Sequence, residues 1–325
     1  MEYVLVTGGT GFLGYHVVNE ALKQGYGVRA IVRKHSDVSF LSQLDCSMIY
    51  GDITVKQDIE EAVKNCDYVI HCAAKTGQTG EADAFVPVNV DSTRYLAEAC
   101  RKFKVKRMVY VSSANSFKNG TKTNPGTEAS DFMPWLNKSG YASSKYLAQT
   151  YIQETCKKHA LDAVIVAPTF MLGSYDVKPS SGKLLLQGLK HIVFYPPGGK
   201  SFVDVTLVAY GTVNALKRGK NGEVYLLAGQ NLSYREFFRI TAQICSKRQV
   251  LIKVPGFLLK LAGLLGDLLT FFGLNVSFNS LNIKLLTLSN YFSNHKAKQE
   301  LGLKDTDIKR SVQDAIDWFT ENNYI

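Results

Sequence analysis

The segment Thr7-Gly8-Gly9-Thr10-Gly11-Phe12-Leu13-Gly14 restricts the fold more than any other part of this chain. It follows a short apolar strand, Tyr3–Thr7, and runs into a helical segment, Gly14–Gln24. Gly8, Gly11 and Gly14 have the spacing G-x-x-G-x-x-G, and the physics of a dinucleotide turn needs glycine at such positions. One glycine lets the chain turn sharply, one lets backbone approach a pyrophosphate, and one lets helix and strand pack closely. The helix N-terminus then presents N–H groups and a partial positive charge to the phosphates. Between a strand and a helix this pattern points to a dinucleotide; a purely structural tight turn is the alternative. Gly8, Thr10, Gly11, Phe12, Leu13 and Gly14 are therefore candidate cofactor-binding residues.

The rest of the first half keeps a strand–helix rhythm. Strands are expected at Gly27–Val32, Ser47–Tyr50, Tyr68–Cys72, Arg107–Val111 and Asp162–Ala167, and helices at Asp58–Asn65, Asp91–Lys102 and Tyr141–His159. Such alternation predicts an α/β fold: a doubly wound parallel sheet of Rossmann type, covered on both faces, with right-handed connections. After Pro168 the rhythm breaks into loops rich in Gly, Pro and Ser, and one strand, Glu223–Ala228, reads as rejoining the sheet. The expected division is a nucleotide-binding domain at 1–167 plus about 200–229 and a smaller C-terminal substrate-binding lobe at 168–199 and 230–325.

A dinucleotide site usually carries a carboxylate at the end of the second strand, to bind the ribose 2′-hydroxyl. Here that place, nineteen residues after Gly14, holds Arg33, followed by Lys34, with no carboxylate nearer than Asp37. Two cations suit a 2′-phosphate, so the sequence predicts NADP(H) in preference to NAD(H), with NAD(H) still possible. The alternative is that Arg33 stacks on adenine or faces solvent. Asp52 and Ile53 follow the third strand; the Asp52 carboxylate can accept from the adenine amino group or cap the next helix.

Tyr141 and Lys145, in Tyr141-Ala142-Ser143-Ser144-Lys145, stand one helical turn apart on one face. Together with His71-Cys72-Ala73-Ala74, Val88-Asn89-Val90-Asp91-Ser92-Thr93, Val111-Ser112-Ser113-Ala114, Ala167-Pro168-Thr169 and Asn294-His295-Lys296-Ala297-Lys298 they make the whole chain resemble the extended short-chain dehydrogenase/reductases. Within these it resembles the branch of epimerase/dehydratases, dihydroflavonol 4-reductase-like proteins and 3β-hydroxysteroid dehydrogenases. The resemblance implies a catalytic set of Ser113, Tyr141 and Lys145. Tyr141 is the general acid/base, and Ser113 hydrogen-bonds the substrate oxygen. A free tyrosine has a pKa of about 10, and the Lys145 ammonium with the nicotinamide ribose is expected to lower it. Ser112 is expected to point to the opposite face. The resemblance also assigns Ala73, Ala74, Asn89, Pro168 and Thr169, with Tyr141 and Lys145, to the cofactor's surroundings; Asn89 is equally readable as a helix-start polar residue.

The acidic pair of the family's dehydratases is missing after Ser113, and Arg33 speaks against an epimerase that retains NAD. The expected activity is a reductase or dehydrogenase acting on a carbonyl or secondary alcohol of a mostly apolar small molecule. Phe170, Met171, Tyr175, Phe194, Tyr195 and the leucine-rich stretch 257–274 suggest apolar surroundings, while Arg235, Arg239 and Arg248 keep a nucleotide-sugar epimerase open. An inert dinucleotide-binding sensor or scaffold is the non-enzymatic alternative. Stretch 257–274 is short and interrupted for a membrane span. It reads as a core or lobe helix, a lid over an apolar substrate, or a weak membrane-surface contact.

The net charge of +10 is concentrated in Arg101–Arg107 and Lys217–Lys220. Helix ends explain such cations, and no nucleic-acid-binding motif accompanies them. Six cysteines show no C-x-x-C pairing and read as reduced thiols. No histidine pair has metal-ligand spacing, so no metal is assigned. Met1 leads straight into the glycine motif without a signal peptide, which suggests a cytoplasmic protein. The resemblance implies a homodimer.

Overall fold

The computed structural model describes every residue except 78–81, 160, 247, 275 and 277. Its first half runs β1 (Tyr3–Thr7), α1 (Phe12–Lys23), β2 (Gly27–Val32), β3 (Ser47–Tyr50), α2 (Lys56–Val63), β4 (Tyr68–His71), α3 (Ser92–Lys102), β5 (Arg107–Val111), α4 (Gly140–His159) and β6 (Ala163–Pro168). There follow β7 (Phe170–Leu172), α5 (Gly182–Gln187), β8 (Ile192–Tyr195), β9 (Gly199–Asp204), α6 (Val205–Arg218), β10 (Val224–Leu227) and β11 (Gln230–Ser233). The chain closes with α7 (Tyr234–Ile244), β12 (Val250–Lys253), α8 (Gly256–Phe271), α9 (Ser280–Thr287), β13 (Ser289–Asn290), α10 (His295–Leu301) and α11 (Ile308–Glu321).

Seven strands form one parallel sheet in the order β10-β6-β5-β4-β1-β2-β3. The fold is thus the expected doubly wound α/β sheet with an added C-terminal lobe. Its central strands are apolar at nearly every position because both faces are covered. Along β1 the side chains alternate: Val4 and Val6 enter the core shared with α1 and α6, and Leu5 enters the core shared with α2, α3 and α4. The strand order reverses between β1 and β4, the place beyond whose carboxyl strand ends doubly wound folds bind ligands.

Among the described residues from 168 to 325, only β10 joins this sheet, as expected. The others form two small sheets, one of β11, β9 and β13 with β7 beside β9, the other of β12 and β8. Several are too short for an alternating pattern to be read; β13 has two residues and β7 three. Within 200–229, α6 and β10 pack on the large sheet, whereas β9 belongs to the small one. The lobe has its own core, in which Phe202 and Phe237 stack at 4.3 Å and Tyr195, Phe238, Trp318 and Phe319 are buried around them. Stretch 257–274 is helical but is not a core helix: in α8 only Gly263 and Gly266 are buried.

Candidate active site

The glycine turn sits at the reversal point. Gly8 has φ +73°, and a Cβ there would lie 2.7 Å from the Ala73 backbone nitrogen. At Gly14 a Cβ would lie 1.9 Å from the Gly8 carbonyl oxygen. The Gly11 N–H donates to the same oxygen at 2.9 Å, closing the turn. No side chain caps α1 and no acidic residue occupies its first turn, so its positive end is left for an anion. Leu13 is buried in the core and can offer only its backbone; Phe12 packs partly against that core, and Thr10 is exposed. A side-chain-free cradle against an uncapped helix end fits a dinucleotide pyrophosphate.

A buried chain of hydrogen bonds ties this turn to the helix carrying Tyr141. The Ala73 N–H donates to Thr7 Oγ1 at 3.2 Å, and Thr7 Oγ1 lies 2.7 Å from His71 Nδ1. His71 Nε2 lies 3.1 Å from Thr93 Oγ1, whose hydroxyl donates to the Asn89 carbonyl at 2.8 Å. With Thr93 donating onward, His71 is assigned the Nε2–H tautomer and accepts from Thr7 at Nδ1. Burial pushes the His71 pKa down to about 3, so the ring is neutral. Asn89 sits in a π-helical turn, Pro87–Asp91. Its Oδ1 accepts from the Lys75 N–H at 2.7 Å, and its Nδ2 donates to Lys75 O at 3.1 Å and to Ser144 Oγ at 2.9 Å. Ser144 in turn donates to the Tyr141 carbonyl at 2.9 Å. Asn89 is thus a full bridge between β4's loop and α4. Thr7, Thr93 and Ser144 were not singled out in the sequence, although each lies inside a motif that was.

Ser113 and Tyr141 are brought together by the end of β5 and the first turn of α4. Ser113 Oγ accepts from the Asn115 N–H at 3.2 Å. Ser112 turns to α4, where its hydroxyl donates to Gln149 Oε1 at 2.7 Å. Among the protein's own groups, burial has the strongest influence on the Tyr141 pKa. Burial raises it, and the hydrogen-bonding contact with Ser113 pulls only partly the other way. Lys145 Nζ donates to the Val111 carbonyl at 2.6 Å and stands 4.8 Å from the Tyr110 ring centroid. Ala142, the residue after Tyr141, forms a small buried cluster with Leu136 and Leu285, on which Phe132, Trp135 and Leu281 pack. Tyr195, Phe170 and Tyr175 belong to the lobe core, Met171 packs on the core beside α1 and α6, and Phe194 is exposed.

Lys145 is 2% exposed, and burial brings its pKa down from 10.5 to about 8. Between pH 8 and 10.5 the unfolded chain therefore binds the proton that the folded chain has lost, and stability rises with pH across that window. Below it, both states are protonated and the folded state bears the full cost of the buried ammonium. Lys145→Met is accordingly expected to raise stability at pH 7 by up to about 3 kcal/mol and to flatten the alkaline rise. Urea melts of both proteins at pH 7 and pH 10 check this; equal pH dependence in the two would refute it.

The remaining candidates line the same carboxyl edge. Arg33 and Lys34 follow β2 and are exposed. Asp52 follows β3, and its Oδ1 accepts from both the N–H and the hydroxyl of Thr54 at 2.8 Å. Those bonds, more than the nearby Arg33 charge, lower its pKa. Ile53 packs on the core beside α2. Ala74 is half-buried just beyond β4. Pro168 ends β6, and the Thr169 N–H donates to Leu227 O at 3.2 Å.

This fold, with a glycine turn at the reversal point, defines a dinucleotide-binding α/β enzyme. Residues 4–228 match the NAD dependent epimerase/dehydratase family. A Synechocystis sp. protein named "Putative dihydroflavonol 4-reductase" is 31% identical, over 98% of this chain and 95% of its own. The decarboxylating sterol-4-alpha-carboxylate 3-dehydrogenase of Dictyostelium discoideum is 30% identical, over 73% of this chain and 75% of its own. The crystal structure of gox2253 matches over 100% of both chains with a TM-score of 0.89 and 29% identity. The chain belongs to the NAD dependent epimerase/dehydratase family, among the extended short-chain dehydrogenase/reductases, oxidoreductases that act on CH–OH and C=O groups.

The preference for NADP(H) read from Arg33 and Lys34 is corrected by these comparisons. The family is described as NAD dependent. The UDP-glucose 4-epimerase of Thermus thermophilus was solved with NAD (20% identity, TM-score 0.77, covering 98% of this chain and 99% of its own). So was the dTDP-glucose 4,6-dehydratase DesIV of Streptomyces venezuelae (20% identity, TM-score 0.78, covering 99% and 98%). The physical reason lies at the β2–β3 edge. The Asp52 carboxylate, held below its usual range chiefly by its Thr54 bonds and least by the Arg33 charge, is contributed by the neighbouring strand, so an acidic group shares this rim with Arg33 and Lys34. The argument that Arg33 gave against an epimerase falls with it.

Proposed function

We propose that this chain interconverts a ketone and a secondary alcohol on a mostly apolar small molecule, with NAD(H) as the exchangeable redox partner. The observation that carries this reading is the meeting of Ser113 and Tyr141, with Ala142, the next residue of α4, in an apolar cluster with Leu136 and Leu285. NADH bound along the glycine turn supplies the hydride to the carbonyl carbon. Tyr141 gives its phenolic proton to the carbonyl oxygen, and Ser113 hydrogen-bonds that oxygen. Lys145 offsets the charge of the tyrosinate that results. Burial keeps Tyr141 protonated at neutral pH, which suits a proton donor and hence the reductive direction. Pro168 and Thr169 would meet the nicotinamide end, and Gly8, Thr10, Gly11, Phe12, Leu13 and Gly14 would hold the pyrophosphate.

Two relatives support the substrate class by their names, one referring to a dihydroflavonol and the other to a sterol carboxylate. A nucleotide-sugar fits less well, because Arg235 and Arg239 line a groove with Gln249 and Leu251 of the lobe that contains none of the candidate site residues. The test combines binding and turnover. NADH is expected to bind at least about tenfold more tightly than NADPH by fluorescence titration. Its absorbance is expected to fall with flavanone-like or steroid ketones. Interconversion of UDP-sugars with no NADH oxidation by any apolar ketone would sink the proposal.

A further inference from the structure

We propose that α8, together with the β8–β12 ribbon before it, docks this protein on an anionic lipid surface. Helix α8 turns its large side chains outward: Leu261 is 59% exposed, Leu264 62% and Phe271 83%. Leu258, Leu265 and Leu268 are exposed as well. Its inner contact is made by glycines, with Gly263 against Ser280 and Gly266 against Phe278. A contiguous apolar surface of this kind marks an interaction site. In the chain it follows another such face, because Ile192 and Phe194 of β8 pair with Val250 and Ile252 of β12 and all four are exposed.

Charge complementarity selects the occupant. Arg235 and Arg239 on α7 line a groove beside β12, and Lys253 and Lys260 are exposed at its end and within α8. None of these four forms an ion pair among the described residues. The one acid in α8, Asp267, accepts from the Ser280 N–H at 3.0 Å. Unneutralised cations beside Leu and Phe are the composition of a helix lying at a lipid interface. The helix also lacks the Tyr, Trp and Arg that anchor protein interfaces, and a second copy would set like charges face to face. With 16 residues it spans about 24 Å, short of the roughly 30 Å hydrocarbon core. No helix among the described residues is long and apolar enough to cross a membrane. It therefore lies along the surface. Helix α9 connects this face to chemistry, since its Leu281 and Leu285 pack in the cluster containing Ala142, the neighbour of Tyr141. A lipid surface would then be the source of the apolar substrate; that last step rests on the proposed function, whereas docking itself does not.

The test is flotation of the full chain with phosphatidylcholine vesicles, with and without phosphatidylserine. The wild type is expected to float with the anionic vesicles and to be released by high salt. Leu261→Glu with Leu264→Glu should weaken this by roughly a hundredfold, and both sites are exposed enough to spare the fold. Arg235→Glu with Arg239→Glu should abolish the preference for phosphatidylserine. NADH titration of each variant shows that the nucleotide site is intact, so loss of lipid binding is read apart from the catalytic proposal. Wild type that stays in solution with both vesicles overturns the inference. So does a concentration-dependent dimer that the leucine variants dissociate, because the face would then belong to a second copy.

Discussion

Tyr141→Phe is expected to slow ketone reduction by about 10²–10⁴-fold while leaving NADH affinity nearly unchanged. The substitution keeps the half-buried ring and removes only the hydroxyl. The Ser144 hydroxyl donates to the Tyr141 backbone carbonyl at 2.9 Å, and that bond survives. What is lost is the one acid aimed at the position where the carbonyl oxygen must sit. Ser113 does not replace it, because an alkyl hydroxyl is a far weaker acid than a phenol; Ser113 can donate a hydrogen bond but cannot surrender the proton. Ser113→Ala should accordingly cost less, about 10²-fold if its bond strengthens in the transition state. The wild-type reductive rate should hold on the acid side and fall as pH rises through the raised Tyr141 pKa, since deprotonation removes the donor. NADH oxidation with a responsive ketone, followed across pH for the three proteins, provides the readout. Turnover of Tyr141→Phe at the wild-type rate would remove Tyr141 from the mechanism.

The sheet was legible because its signals are local. β1, β2, β3 and β5 are bounded in the sequence where the structure bounds them, since each is an apolar run closed by a glycine, charged residue or serine. The lobe was not, because β7, β8 and β11 to β13 have at most four residues each and no strand–helix rhythm around them to mark their place. The same difference separates the parts of the site. Tyr141 and Lys145 advertise themselves by a one-turn spacing, and the glycines by a three-residue one. The bonds from Thr7 to His71 and from Asn89 to Ser144 span 64 and 55 residues, and threonines and serines at such separations carry no pattern. The cofactor reading failed for a related reason. Arg33 was weighed along its own strand, while the carboxylate that its charge acts on, Asp52, arrives from the next one. Helical spacing fixes which side chains are neighbours and not where a long one points. Lys145 spends its ammonium on Val111.

Gly14→Ala is expected to destroy NADH binding, and the reason is visible by contrast with a second glycine. An alanine Cβ at position 14 would sit 1.9 Å from the Gly8 oxygen and 3.0 Å from Gly9 Cα. Those are backbone atoms of the turn itself, so relief requires moving β1's end away from α1. That displacement withdraws the helix N-terminus from the phosphates and costs about 3 kcal/mol or more of stability. Gly25, in the turn between α1 and β2, has φ +84° with nothing within 4 Å of a Cβ. Gly25→Ala therefore meets only the backbone penalty of a left-handed residue, about 1–2 kcal/mol, at a distance from the phosphates in the chain's topology. Fluorescence titration with NADH and urea melts of both variants separate the two effects. Gly25→Ala should bind like the wild type despite its lower stability, whereas Gly14→Ala should lose at least about a hundredfold in affinity even under conditions where it is fully folded. Wild-type affinity in folded Gly14→Ala would mean that the close approach of α1 to β1 is not what holds the dinucleotide.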